Sequence, residues 1–395
     1  DELGEMQEGR DFEIIGSNTY FYRSFDPIKE FTRKWTPQQN HNLSVTGGSK
    51  KTTYNISLSY LNQTGVMKYN SDQYDRYTLH SSITSSIRDW WKVRANVLFT
   101  RTKNDEPYRF TSGQYDAWFY LLRWPRWYPY ANYKGRPFRS AVTDIKHGNR
   151  ENTTTTYVRT NLGTEITPMK NLSINFDYTF SFTNDARKLN GGTVYAYDMF
   201  ASAPFSSYTN LYGLGHNMVE QSSQYTLQNI FKGYATYMFD VAEQHHFKVM
   251  AGFDAETREA FSHYSERQKL YSEKFPEIAM TYGDQFSYNS NYSYHNDFAA
   301  AGVFGRLNYD YLQRYLLEFN LRYDGSSRFP IGKKWAFFPS FSAGWRTSEE
   351  KFMDWAKPAL SNLKVRGSWG TIGNQDVAAY AYMSIMKPQN SGWVV

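Results

Sequence analysis

The sequence predicts an all-β protein: a transmembrane antiparallel β-barrel wall with short turns on one rim and long loops on the other. Three observations predict it. Side chains alternate apolar and polar along segment after segment, most cleanly from Tyr315 to Asp324. There Tyr315, Leu317, Phe319, Leu321 and Tyr323 share one face, and Glu318, Asn320, Arg322 and Asp324 lie on the other with Leu316. Successive strand residues point to opposite faces, so one side is greasy and the other wet. The segments run to roughly 9 to 15 residues, against a usual mean of about 5 to 6, and about 9 to 11 tilted residues cross a bilayer. Tight and long connections alternate along the chain, the rhythm of an outer-membrane barrel.

The first 40 residues are polar and irregular, broken by Pro27 and Pro37, and read as a loop leading into the barrel. From His41 the pattern begins. Leu43 and Val45 lead to Gly47-Gly48, and Tyr54, Ile56, Leu58 and Tyr60 return, a hairpin with a glycine-containing turn. A strand from Tyr77 to Ile87 turns tightly at Arg88-Asp89 into Trp91, Val93, Ala95, Val97 and Phe99. After a long connection near 104–152, Val158 to Ile166 turns through Pro168-Met169-Lys170-Asn171 into Leu172, Ile174, Phe176, Tyr178, Phe180 and Phe182. A second long connection precedes the pair Tyr225 to Val241 and His246 to Phe261, joined through Ala242-Glu243-Gln244-His245. A third, rich in Tyr and Asn, precedes Val303 to Tyr311, Tyr315 to Tyr323, Trp335 to Trp345 and Leu363 to Trp369. A short helix is expected between Ser348 and Ser361. The total is about twelve strands.

Bulk properties set the limits of this reading. Mean hydropathy is −0.69, and no run of 18 apolar residues exists, which excludes a transmembrane helix. A barrel uses only every second residue for lipid and stays compatible with that value. Aromatics make up 18% of the 395 residues, with 34 Tyr, 28 Phe and 11 Trp, a load that suits aromatic girdles or sugar-stacking surfaces. There is no Cys, so disulfides, thiolate chemistry and Cys-based metal sites are excluded. The net charge of +6 comes from 44 basic and 38 acidic residues spread along the chain, which argues against nucleic acid as a partner. No signal peptide precedes Asp1, as expected of a mature or truncated piece.

The competing architecture is a soluble β-sandwich or propeller. Strand length and the continuity of the apolar face weigh against it. So does the opposite face, which carries Arg306, Asp310, Arg314, Glu318, Arg322, Lys364 and Arg366 and suits a water-filled lumen. Catalysis finds little support, and neither a metal nor a cofactor is expected. His245-His246 fall in a turn whose neighbours point to opposite faces, and no phosphate loop or Gly-x-Ser-x-Gly elbow is present. Glu349-Glu350 read as a helix N-terminus after Ser348. Asp324 and Arg328, flanking Gly325-Ser326-Ser327, read as a turn with a lumen-edge ion pair, or alternatively as a ligand-binding pair. In the first long loop, Gly113 to Trp124 reads as helical and Pro125 ends it. Three Trp and four Tyr crowd the stretch to Tyr130. Exposed rings bind sugar faces and equally anchor protein interfaces. Trp118, Tyr120, Trp124, Trp127 and Tyr128 are therefore candidates for ligand or partner contact, with self-packing over the mouth as the alternative.

Three runs carry a family resemblance. They are Gln39 to Gly48 with Thr53 to Tyr60; Asn320 to Phe329 (NLRYDGSSRF) followed by Phe338 to Arg346 (FPSFSAGWR); and Leu363 to Gln375 (LKVRGSWGTIGNQ). In this order they resemble the SusC-like TonB-dependent transporters of Bacteroidota, over most of residues 38–377. The resemblance implies a barrel of about 22 strands around a plug, a TonB box, and a SusD-like surface lipoprotein as lid. It also implies residence in the outer membrane, with membrane lipid or lipopolysaccharide around the wall. Residues 41–372 would be the central strands and 373–395 the start of the next extracellular loop. Plug, TonB box and remaining strands are expected outside this sequence, because an open sheet would leave unpaired edges in lipid. The implied function is import of oligosaccharide with the lid. A peptide importer of the same family, or a surface glycan-binding β-protein without transport, are the alternatives. Arg322, Asp324 and Arg328 would face the lumen, toward plug or ligand.

Overall fold

The computed structural model describes residues 4–108, 123, 125–198, 205, 208–211, 216–283, 291–356, 358–378 and 382–383. Before the wall come a small hairpin, β1 (Phe12–Ile15) and β2 (Asn18–Phe21), and a short helix, α1 (Pro27–Phe31), capped by the Asp26 carboxylate. The wall begins with β3 (Gln38–Gly48), β4 (Thr52–Thr64), β5 (Gln73–Arg88) and β6 (Trp91–Pro107). In the connection that follows, β7 (Asn132–Tyr133) pairs with β8 (Arg136–Pro137), and α2 (Ala141–His147) starts at a Ser140 cap. Next are β9 (Arg150–Met169) and β10 (Leu172–Asn190), then the small pair β11 (Tyr195–Tyr197) and β12 (Tyr208–Asn210). The wall resumes with β13 (Met218–Val241), β14 (His245–Gln268), β15 (Asn291–Tyr311), β16 (Tyr315–Ser326), β17 (Trp335–Trp345) and β18 (Val365–Gly370).

The twelve wall strands form one sheet in strictly sequential antiparallel order, from β3 through β4, β5, β6, β9, β10 and β13 to β18. The twelve predicted strands are thus present. The sheet is open among the described residues, with β3 and β18 at its edges. Register follows the alternation. Tyr178 faces Leu162 on one side and Phe231 on the other, and Val303 faces Phe253 and Tyr323. These rows merge into one apolar surface whose side chains stand open to the surroundings: Leu43, Leu58, Phe176, Phe253, Phe319 and Leu321 are all exposed. Aromatic stacks bound this band. Near the short-turn rim Phe239 lies on Phe247 at 5.0 Å and Tyr311 on Tyr315 at 6.1 Å. Near the long-loop rim Tyr60 lies on Tyr77 at 4.9 Å and Tyr323 on Trp335 at 5.1 Å. Along β16 the steps from Tyr315 to Tyr323 cover about 26 Å at ~3.3 Å per residue, close to the ~25 Å apolar band of a membrane barrel.

Several strands are longer than the alternation predicts. β13 and β14 each run 24 residues, and β15 begins at Asn291 rather than Val303. Beyond the lipid band both faces meet water, so the strand continues where its alternating signal has gone. The predicted helix between Ser348 and Ser361 is instead two 3-10 turns, Thr347–Glu349 and Lys351–Ala356. No side chain caps the first of them. Glu349 lies in the first turn and Glu350 stands directly before the second, its carboxylate accepting hydrogen bonds from the Tyr315 hydroxyl (2.6 Å) and the Trp345 indole (3.1 Å). His245 and His246 open β14 rather than sit in a turn, and they point to opposite faces. His245 meets Tyr309 (2.7 Å) and His246 meets Asp240 (2.6 Å). The turns preceding β14 and β16 hold Ala242, Glu243, Leu312 and Gln313 at φ between 52° and 56°, a left-handed conformation disfavoured for residues with side chains. Neighbouring turns lock one another there, with Leu312 N–H donating to Gln244 O (2.9 Å) and Arg346 N–H to Arg314 O (2.8 Å).

The closely packed core of the described structure lies at the long-loop rim, not in the wall. Phe12, Phe31, Phe138, Val142 and Tyr197 are buried together with Tyr128 and Tyr130. Phe12 stacks on Phe205 at 4.6 Å and meets Tyr133 edge-on at 5.6 Å. Backbone bonds stitch the segments: Phe25 N–H to Arg126 O (2.7 Å), Met6 N–H to Asn132 O (2.7 Å) and Arg139 N–H to Tyr197 O (2.9 Å). Residues 4–37, 125–149, 193–198, 205 and 208–211 thereby belong to one folded lobe. Phe12→Ala is expected to cost this lobe about 3–5 kcal/mol, the usual loss for a buried Phe. Limited proteolysis should then cut within residues 4–37 while the wall stays resistant. Unchanged proteolysis would show that the lobe does not depend on this core.

Candidate functional site

Two surfaces qualify as a site: the wet face of the wall and the lobe above it. On the wet face, β16 brings Arg322 and Asp324 to the same side, two residues apart. The Arg322 guanidinium holds Asp324 (2.9 Å) and, two strands away, Asp254 of β14 (2.9 Å). It also lies 5.3 Å over the Phe304 ring. The strand between contributes Gly302 opposite Asp324, where an added Cβ would collide with the Asp324 carboxylate. The missing side chain lets the ion pair lie flat against the wall. The same device recurs across β6, β9 and β10, where Arg94 reaches Asp177 (3.3 Å) over Gly163. A cavity of ≈ 610 Å³ opens beside the first pair, lined by Asp254, Arg322, Asp324, Phe329, Phe338 and Asn374.

Arg328 does not join Asp324. It leaves the wall in the loop after β16 and bonds Asp376 (3.1 Å), Gln375 O (3.2 Å) and Val377 O (2.8 Å), tying that loop to residues 371–378. The expected lumen-edge pair of Asp324 and Arg328 is thus replaced by two separate contacts. Alternation assigned the faces correctly, but a partner in the next loop or two strands away leaves no local signal.

Higher on the wet face lies a network that sequence reasoning did not single out. Arg187 of β10 bridges Glu151 of β9 (2.5 Å) and Glu220 of β13, while the Tyr264 hydroxyl donates to Glu266 (3.0 Å). Glu220 is buried, and burial raises its carboxyl above the usual range despite Arg187 alongside. Arg187 stays firmly charged, because its two carboxylates outweigh the burial that opposes it. Nearby the Tyr108 hydroxyl meets His216 Nδ1 (2.6 Å). Burial, followed by nearby carboxylates, pushes the Tyr108 phenol to about 12, and burial lowers His216. Among the described residues no three carboxylates or imidazoles converge as a metal site.

In the lobe, Tyr128 is buried in the core and burial raises its phenol, so it holds the lobe together rather than offering a ring outward. Neighbouring Tyr130 is pushed by burial to about 12. Trp127 is half exposed at 52% and faces out. Trp118, Tyr120 and Trp124 lie outside the described residues. The lobe also exposes Ile14, Ile15 and Trp35, which the sequence reading left in a polar loop. The signal available was an apolar pair directly before Gly16-Ser17, a hairpin tip with solvent all round.

An open, sequential antiparallel wall with one lipid face, one ion-paired face and loops of unequal length defines a section of an outer-membrane β-barrel. Residues 119–392 match the family described as TonB dependent receptor-like, beta-barrel, and the chain belongs to that family. It is 26% identical to TonB-dependent receptor SusC of Bacteroides thetaiotaomicron, over 89% of this chain and 35% of that protein. It is 25% identical to TonB-dependent receptor P26 of Formosa agariphila, over 90% of this chain and 34% of that one. The chain therefore spans about a third of the length of these curated relatives. Among solved structures, the RagAB peptide importer in its open-open state superposes with a TM-score of 0.75 at 21% identity, covering 95% of this chain and 40% of that one. These relatives are receptors and not enzymes. The long-loop rim is extracellular and the short-turn rim periplasmic, as in the barrels of this class.

Because burial outweighs Arg187, the folded-state pKa of Glu220 lies above its unfolded value. A raised carboxyl penalises the folded state above that pKa, and the penalty vanishes as pH falls below the unfolded value near 4.5. Glu220→Gln is therefore expected to leave amides 219–222 at least as protected from hydrogen exchange as wild type at pH 7, by up to severalfold. The advantage should fade toward pH 4. Lost protection at pH 7 would mean that the ion pair to Arg187 dominates.

Proposed function

We propose that this chain is the central wall of a TonB-dependent importer that carries oligosaccharide across the outer membrane with a SusD-like surface lipoprotein as lid. The carrying observation is a folded, aromatic extracellular lobe presenting Trp127 above a wet, ion-paired wall. Sugars stack on exposed rings and hydrogen-bond to fixed polar pairs, and the lobe offers the first while the wall offers the second. In this reading the wall is passive. The substrate is held between lid, loops and plug, and TonB acts through a part of the protein outside this chain. Arg322 and Asp324 contact the plug or the ligand, and Arg328 holds the rim loops in place beside them. Trp118, Tyr120 and Trp124 belong to the same loop and are assigned the same ligand or lid contact as Trp127, while Tyr128 serves only by holding the core of the lobe.

Peptide import is the second reading. It draws on the likeness to RagAB, described as a peptide importer. Growth of a deletion strain on a panel of glycans and peptides separates the two. Loss of growth on one glycan class supports the first reading, and loss on peptides alone moves the assignment to the second. Unimpaired growth on every substrate overturns import. Within the first reading, Trp127→Ala should weaken uptake or lid docking about tenfold, ~1.4 kcal/mol, the range of an exposed aromatic anchor. Uptake at the wild-type rate would remove Trp127 from the site.

A further inference from the structure

On the periplasmic rim the connection between β17 and β18 does something the other short turns do not. It is long enough to fold into the 3-10 helix Lys351–Ala356, and its three faces differ. In a 3-10 helix residues i and i+3 eclipse. Met353 and Ala356 therefore share the face that packs inward, and Ala356 is buried. Lys351 and Asp354 share a charged face. Phe352 and Trp355 share the third, and they are 58% and 81% exposed. Two large aromatics held in register at such exposure need a partner.

The side of the wall on which this helix lies is fixed by its contacts. Glu350, directly before it, is held by the Tyr315 hydroxyl and the Trp345 indole. Tyr315 and Trp345 belong to the apolar, lipid-facing rows of β16 and β17, opposite one another in register. The Phe352 ring itself lies 6.1 Å from Trp345. The segment thus folds against the lipid side of the rim and continues the lower aromatic stack, in which Tyr311 lies on Tyr315. Arg314 and Arg346 stand at its start, Arg314 3.6 Å from Glu350 and Arg346 3.5 Å from Glu349. Aromatic rings with a polar neighbourhood settle at the headgroup level of a bilayer, where one side is apolar and the other wet.

We propose that residues Thr347–Ala356 form an interfacial foot, with Phe352 and Trp355 seated in the headgroup region of the periplasmic leaflet. Its occupant is phospholipid, because the apolar face is continuous with the lipid-facing wall. The foot fixes the depth of this part of the barrel in the membrane. It also fixes the connection to β18, the shortest wall strand, which has six residues.

This chain holds no cysteine, so a direct test needs only that any cysteine elsewhere in the receptor be replaced first. Trp355→Cys and, separately, Phe352→Cys would be labelled with a bimane fluorophore in the intact receptor. The receptor would then be reconstituted into phosphatidylethanolamine and phosphatidylglycerol vesicles carrying lipids brominated at different depths. The foot predicts that lipid brominated near the headgroup end of the chain quenches severalfold more than lipid brominated near the bilayer centre, with little quenching by aqueous iodide. Iodide quenching without lipid quenching would overturn the proposal in favour of a water-exposed surface. Quenching by neither would overturn it in favour of a protein partner. The second position keeps the test available should one variant fail to assemble.

Discussion

In hydrocarbon, a backbone N–H or C=O without a partner is too unfavourable to tolerate. Everything in this wall follows from that constraint. The strands pair with their sequence neighbours without a crossover, so each ladder is complete before the next begins. Once the ladders are fixed, the two-residue period assigns every side chain to lipid or to lumen. A slip by one residue would place Arg322 and Asp324 in lipid and Leu321 and Tyr323 in the lumen. The register Val303 to Tyr323 to Phe337 is held by that penalty more than by any single contact.

The lumen face shows how charge is accommodated on a thin wall. Paired side chains lie flat across strands, and glycines beneath them supply the room, as at Gly302 and Gly163. Higher up, Arg187 gathers carboxylates from both neighbouring strands, so the extracellular mouth is braced where lipid no longer confines it. Above this the lobe is organised as a soluble protein would be, around buried rings such as Phe12 and Phe138. One polypeptide thus uses two stabilising regimes: backbone pairing in the membrane and side-chain packing outside it.

The sequence made the first regime legible and not the second. Alternation from Tyr315 to Asp324 marks a strand and its faces because both facts are local. The NLRYDGSSRF, FPSFSAGWR and LKVRGSWGTIGNQ runs identified the family for the same reason. The lobe escaped because its core joins residues far apart, Phe12 with Phe205 and Phe25 with Tyr130, through loops that carry no period. Tyr128 and Trp127 illustrate the difficulty within the site. They are adjacent aromatics in one loop, yet one is buried at 3% and the other exposed at 52%, and the core that buries Tyr128 is assembled from segments far apart in the chain. Asp254, two strands from Arg322, was invisible for the same reason.

The central claim is that one face of this wall meets lipid and the other meets water, in the phase set by β16. Spin labels placed singly at 317, 318, 319, 320, 321 and 322 of the reconstituted receptor test it directly. Collision with lipid-soluble oxygen and with a water-soluble nickel chelate would be measured at each position. The structure predicts that oxygen dominates at Leu317, Phe319 and Leu321, and that it yields to the chelate, or to contact with protein, at Glu318, Asn320 and Arg322. Equal accessibility at all six positions, or the reverse phase, would contradict the wall described here.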